Sequence, residues 1–175
     1  MAIHHLRCEL WLPLTPEAVF PFFADAFNLA KITPSSLGFI VKTTPPIAMH
    51  AGTVIDYTIH WLGLPLRWRT LIESFDPPRQ FVDTALRGPY KRWHHTHTFV
   101  PESGGTLCGD HVEYALPFGP LGDLVHTLSV RKQVIEIFNY RQARLRELLL
   151  GDRAAEAVET LTPDAKRAPL THSTA

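Results

Sequence analysis

The stretch RWHHTHTFVPESGGTLCGDHVEYALPFGPLG (residues 92–122) decides the fold. Along 90–100 and again along 106–116, residues that favour strands alternate with others at the period of a half-buried strand. Glu102-Ser103-Gly104-Gly105 between them is turn material. A connection that short joins antiparallel neighbours. Phe118-Gly119-Pro120-Leu121-Gly122 ends the second strand, and Pro120 suits the first position of a helix. The spacing predicts one long helix over about 120–150. Its stripe comprises Leu121, Leu124, Val125, Leu128, Val134, Ile135, Ile137, Phe138, Leu145, Leu148 and Leu149, with Gly151 as the stop.

Working upstream, further strands are predicted at 38–44, 53–61, 66–75 and 80–86. Pro45-Pro46, Leu62-Gly63, Asp76-Pro77-Pro78 and Arg87-Gly88-Pro89 punctuate them. A first strand over 3–12 puts Leu6, Cys8, Leu10 and Leu12 on one face. Thr15-Pro16 opens a short helix, and Asp25 caps a second that ends at Pro34. The order is strand, two short helices, six strands, long helix. This is an α+β chain: a curved seven-stranded antiparallel sheet wrapped around a C-terminal helix. One helix cannot fill the concave face of such a sheet, so a cavity is expected. Residues 1–150 form the domain. Residues 151–175 are expected to be a flexible tail, with a short helix at 153–161.

Composition narrows the function. Of 175 residues, 45% are hydrophobic and 19% charged, so the chain has a core to build. Seventeen Lys and Arg balance seventeen Asp and Glu, which gives no basic surface for a general nucleic-acid binder. No apolar run reaches the roughly 20 residues of a membrane span. The N-terminus has no secretion-signal pattern, so a cytoplasmic location is expected. Two distant cysteines, Cys8 and Cys108, make neither a disulfide framework nor a zinc knuckle. Nucleotide-binding, hydrolase and zinc-protease motifs are absent, and no cofactor is implied. Oligomeric state stays open.

Several segments resemble the SRPBCC superfamily, also called START-like or Bet v 1-like. They are FPFFADAFNLAKITP (20–34), GTVIDYTI (52–59), GLPLRWRTLIESFDPPRQFVD (63–83), RGPYKRWHHTHTF (87–99), GGTLCGDHVEYALPFGPLG (104–122) and VRKQVIEIFNYR (130–141). Within that group the chain is similar to a bacterial cyclase-like subfamily of the polyketide cyclase/dehydrase type. The resemblance implies a helix-grip fold with an internal cavity for a small hydrophobic ligand. Members bind lipids, sterols, polyketides or plant hormones; some cyclise or hydrolyse, and many only carry. The resemblance assigns no catalytic residues.

The densest chemical signal is residues 92–99. Alternation puts Trp93, His95, His97 and Phe99 on one face, which its aromatics mark as the cavity face. Three readings of the histidines stay open. They are sheet residues bonded to neighbours; or they orient a ligand's polar group or act as acid and base; or they are half of a metal site whose third ligand would be Asp110, His111 or His60. Asp110 shares a face with Cys108, Val112 and Tyr114, and a pair with His95 or His97 is expected, against pairing with a surface arginine. Arg131 falls between Leu128 and Ile135 in the helix stripe, where it either reaches the rim or meets a ligand carboxylate. Tyr57, Trp68, Tyr90, Trp93, Phe99, Tyr114, Ile135 and Phe138 complete the expected lining. The leading function is binding of a small hydrophobic or amphipathic molecule. The alternatives are a cyclase/dehydrase-type enzyme using His95, His97 and Asp110, and an interaction module without a working pocket.

Overall fold

The computed structural model of the chain describes residues 2–61, 64–151 and 171–174. Strand β1 (His4–Leu12) leads to helix α1 (Pro16–Phe23), then to 3₁₀ turns at Ala26–Ile32 and Ser35–Leu37. Strands β2 (Ile40–Val41), β3 (Val54–Trp61), β4 (Leu64–Asp76), β5 (Gln80–Arg87), β6 (Arg92–Glu102) and β7 (Gly105–Ala115) follow. Helix α2 (Pro120–Val125) runs through a π-type turn (His126–Val130) into α3 (Arg131–Leu150), and β8 (Thr171–Thr174) is the last strand. All pairs are antiparallel, in the order β2-β3-β4-β5-β6-β7-β1-β8.

The β6–β7 hairpin folds as its turn chemistry dictates. Ser103 and Gly104 both have positive φ, +50° and +77°, which gives the twist that two-residue hairpin loops favour. Register then pairs His97 with Asp110 and Trp93 with Tyr114. In β4, register shifts between Arg69 and Thr70 and between Ile72 and Ser74 bend the sheet.

Three local expectations change. The strand expected at 38–44 shrinks to Ile40–Val41. Gly38 turns left-handed before it. After it, the N–H groups of Lys42 and Thr43 converge on the one carbonyl of Asp56, while Thr43 Oγ1 takes the Asp56 N–H, so the ladder stops there. The second short helix is a 3₁₀ turn, capped as expected by Asp25, which accepts the Phe27 N–H at 2.9 Å. The tail is not all tail: Thr171–Thr174 pairs with β1, His4 opposite Thr174, and makes an eighth strand. The expected helix at 153–161 and the turn at Leu62-Gly63 lie outside the described residues.

The helix packs directly on one half of the sheet. Val130, Val134 and Phe138 meet Leu6, Cys8, Val112 and Tyr114, and Leu145 meets Leu10, Leu12, Phe81, Phe99 and α1. Over β3 to β6 the curved sheet draws away from it. There a cavity of about 480 Å³ remains.

Candidate functional site: a polar box on an apolar wall

Most of the cavity wall is aliphatic or aromatic, including Ile55, Ile59, Leu66, Ile72, Ile137 and Phe138. Two polar tips in its aromatic section share one partner. Tyr57 Oη lies 3.0 Å from Thr70 Oγ1, and Trp68 Nε1 donates to the same oxygen at 3.1 Å. Phe118 and Leu121 belong to the wall yet are 81% and 62% exposed, so they mark the rim where the cavity opens.

Apart from the exposed Asp25, the charged residues of this wall gather in one cluster. It is built from a two-by-two lattice on the concave face of three neighbouring strands. Asp83 of β5 is in register with His95 of β6, and His97 of β6 with Asp110 of β7. Side chains also meet along the diagonals. His95 Nε2 lies 2.9 Å from Asp110 Oδ1 and His97 Nε2 lies 2.9 Å from Asp83 Oδ2. His97 Nδ1 approaches Asp110 Oδ1 at 3.0 Å, and His95 Nδ1 faces Asp83 Oδ2 at 3.6 Å. The two imidazoles lie with centroids 3.8 Å apart and planes tilted by 39°, and Phe81 stacks on His97. Both histidines are only 4% exposed. From α3, Arg141 brings Nη2 to 3.7 Å from Asp110 Oδ1. The Cys8 thiol, opposite Asp110 in β1, approaches its other oxygen at 3.8 Å.

Burial and charge pull these groups in opposite directions. For Asp110 burial pushes the carboxyl up, but Arg141 and the hydrogen bonds of both histidines win and hold it well below the usual carboxylate range. Asp83 is likewise held low by His97 and His95 against burial. Burial and the neighbouring His97 bring His95 down to about 4, against the pull of Asp110. For His97 burial lowers, but the hydrogen bonds to Asp110 and Asp83 prevail, and its pKa is raised. His95 is therefore the neutral ring of the pair, and His97 is the one that holds a second proton more readily. Burial, with Asp110 nearby, pushes the Cys108 thiol up to about 12, so it is a poor nucleophile.

The sequence-derived residues divide. Tyr57, Trp68, Tyr90, Trp93, His95, His97 and Phe138 line the cavity. Asp110 lies behind His95 and His97 and pairs with both, not with a surface arginine. Phe99 and Tyr114 are buried in the core, and Ile135 packs at its edge. Arg131 is exposed and off the cavity wall; Arg141, 7% exposed, is the arginine that reaches inside. His111 contacts His5, and His60 contacts the Gly38 carbonyl, so neither joins His95 and His97. Two residues escaped the sequence reading. Asp83 carried a signal, being an acid between Phe81 and Ala85 on one strand face. Arg141 did too: it lies in the buried series Val130, Val134, Phe138, Arg141, Leu145.

No family model matches the chain, and no curated protein matches it. Solved structures do. TTHA0849 from Thermus thermophilus superposes with a TM-score of 0.59 at 22% identity, covering 87% of this chain and 98% of that one. Ara h 8.0201 gives 0.56 at 17%, covering 82% and 97%. The ZhuI aromatase/cyclase from Streptomyces sp. R1128 gives 0.59 at 12%, covering 83% and 96%. The chain has the Bet v 1-like, helix-grip fold. At these identities the likeness concerns the fold and not the chemistry. In this helix-grip chain, the box on β5, β6 and β7 has to be read from its own geometry. Among the described residues no helix is long and apolar enough to cross a membrane.

Proposed function

We propose that this chain binds a small hydrophobic or amphipathic molecule, lipid-like or polyketide-like, between the concave sheet and the C-terminal helix. One observation carries the reading. A cavity of about 480 Å³ is walled mostly by apolar side chains, and Asp83, His95, His97 and Arg141 meet at one place on that wall. Apolar wall supplies affinity and one polar cluster supplies orientation, the usual division in small-molecule sites. The ligand's apolar body lies along Tyr57, Trp68 and Trp93, with its polar end toward the box. Two buried free thiols, Cys8 and Cys108, suit the reducing cytoplasm.

Filling the cavity tests this. Ile59→Trp and Leu66→Trp each place an indole in the open space. Wild-type protein is expected to bind 8-anilinonaphthalene-1-sulfonate at one site per chain. Each variant should lose about tenfold or more in affinity, or about 1.4 kcal/mol, while still unfolding cooperatively. Equal affinity in the filled variants would place the probe elsewhere and sink the reading.

A second reading, a cyclase/dehydrase-type enzyme, draws on His97 held between two carboxylates at the cavity wall. There His97 moves a proton on a folded ligand and Asp83 holds the ring. It differs in outcome: His97→Gln would abolish turnover of the ligand and leave probe binding within a few-fold.

A further inference from the structure

We propose that Asp83, His95 and His97 form a binding site for one first-row divalent transition ion, of the zinc or iron(II) class, that opens onto the cavity. Their ligand atoms all lie within 4.8 Å of one another. Metal bonds of roughly 2.0–2.2 Å hold ligand atoms about 3 Å apart. The separations of 2.9 Å from His97 Nε2 and 3.6 Å from His95 Nδ1 to Asp83 Oδ2 bracket that spacing.

The hydrogen bonds of the box point the same way. His95 Nε2 meets Asp110 at 2.9 Å, so a neutral ring places its one proton there. Nδ1 is then a bare lone pair facing the Asp83 carboxylate at 3.6 Å, too far for a hydrogen bond and unfavourable without a cation between them. His97 turns Nε2 to Asp83 at 2.9 Å, and its Nδ1 lies 3.0 Å from Asp110 Oδ1 and 3.5 Å from Arg141 Nη2. Asp110 thus accepts the outward N–H of His95, lies beside Nδ1 of His97 and is itself paired by Arg141. This is the outer arrangement that fixes the tautomer of metal-binding histidines.

Position agrees with the roles. Asp83, His95 and His97 line the cavity and Asp110 does not. Three protein ligands on one side leave the remaining coordination positions facing the cavity, and two imidazoles with one carboxylate suit zinc or non-haem iron(II). The site does not depend on which molecule fills the cavity.

The test uses the full chain, stripped with chelator and desalted. Titration with Co²⁺, followed by visible absorption, should give one equivalent bound with the intense bands of a low-coordinate ion, and Zn²⁺ should displace it. Asp83→Asn and His97→Gln should each weaken binding by about 100-fold, and Asp110→Asn by about 10- to 100-fold. His111→Ala should leave binding unchanged, because it removes only the separate His5, His111 and Glu113 grouping. Should a variant fail to fold by circular dichroism, the wild-type protein still decides. On adding Zn²⁺, imidazole ¹⁵N spectra should shift His95 Nδ1 and His97 Nε2 and keep His95 Nε2 and His97 Nδ1 protonated. No stoichiometric uptake, shifts on His5 and His111 instead, or binding lost only in His111→Ala would each overturn the proposal.

Discussion

At the scale of single residues, the two histidines of the box titrate in opposite senses, and stability should show it. For His95, burial brings the folded-state pKa to about 4, below the ordinary 6.5. Between those values the unfolded chain binds more protons, so stability falls as pH drops from 6.5 toward 4. For His97 the folded-state pKa is raised. Its contribution is complete below 6.5 and is lost as pH rises through the raised value. Metal-free protein is therefore expected to be most stable near pH 6.5, read from thermal melts across pH with chelator present. His95→Asn should flatten the acid limb and His97→Asn the alkaline one; an unchanged profile in both would disconnect these rings from stability.

Arg141 carries a second residue-scale expectation. Arg141→Leu keeps an apolar body on α3 but leaves Asp110 without its cation. Removing one partner of a buried ion pair costs about 3–5 kcal/mol. The two histidines still bond Asp110, so the lower end applies. Arg131→Leu changes an exposed side chain and should stay within about 0.5 kcal/mol. Urea unfolding of the two variants side by side separates them.

At the scale of elements, the C-terminal helix explains why one arginine was legible and the other was not. The stripe Leu124, Leu128, Arg131, Ile135 reads as the inner face if the helix is uniformly α from Pro120. The π-type turn at His126–Val130 inserts extra backbone and rotates α2 relative to α3. Leu128 is left 76% exposed, and the inner face becomes Val130, Val134, Phe138, Arg141 and Leu145. Leu128→Gln should therefore cost under about 0.5 kcal/mol, whereas Phe138→Ala should cost about 3–5 kcal/mol. Denaturant midpoints measure both, and a costly Leu128 change would put the helix in the other phase. Strands β6 and β7 fared better because their pairing carries no register shift, so the period of two holds along both. The pairing of Asp110 with the histidines could be read from the β6–β7 turn alone. Asp83 needed the β5–β6 register as well, and the turn at Arg87-Gly88-Pro89 does not fix it by type.

At the scale of the whole molecule, an open sheet has two edges that could pair with another chain. Beyond β3, the edge strand β2 is two residues long and is followed closely by Pro45 and Pro46, which leaves little to pair with. Strand β1 is nine residues long, and on its outer side Thr171–Thr174 covers His4 to Arg7. A chain ending at Gly151 would lose that cover and expose a row of backbone donors and acceptors beside the buried core residues Leu6 and Cys8. The lost ladder involves the fraying end of the sheet, at a net value of about 1 kcal/mol per hydrogen bond. A loss of about 1–3 kcal/mol in urea unfolding is expected. The larger effect should appear in association, because two exposed β1 edges can pair antiparallel across a two-fold axis. Sedimentation velocity over a concentration series should show more dimer or larger species for the shortened chain than for the full one. Identical sedimentation and identical unfolding would mean that β8 neither guards the edge nor stabilises the sheet.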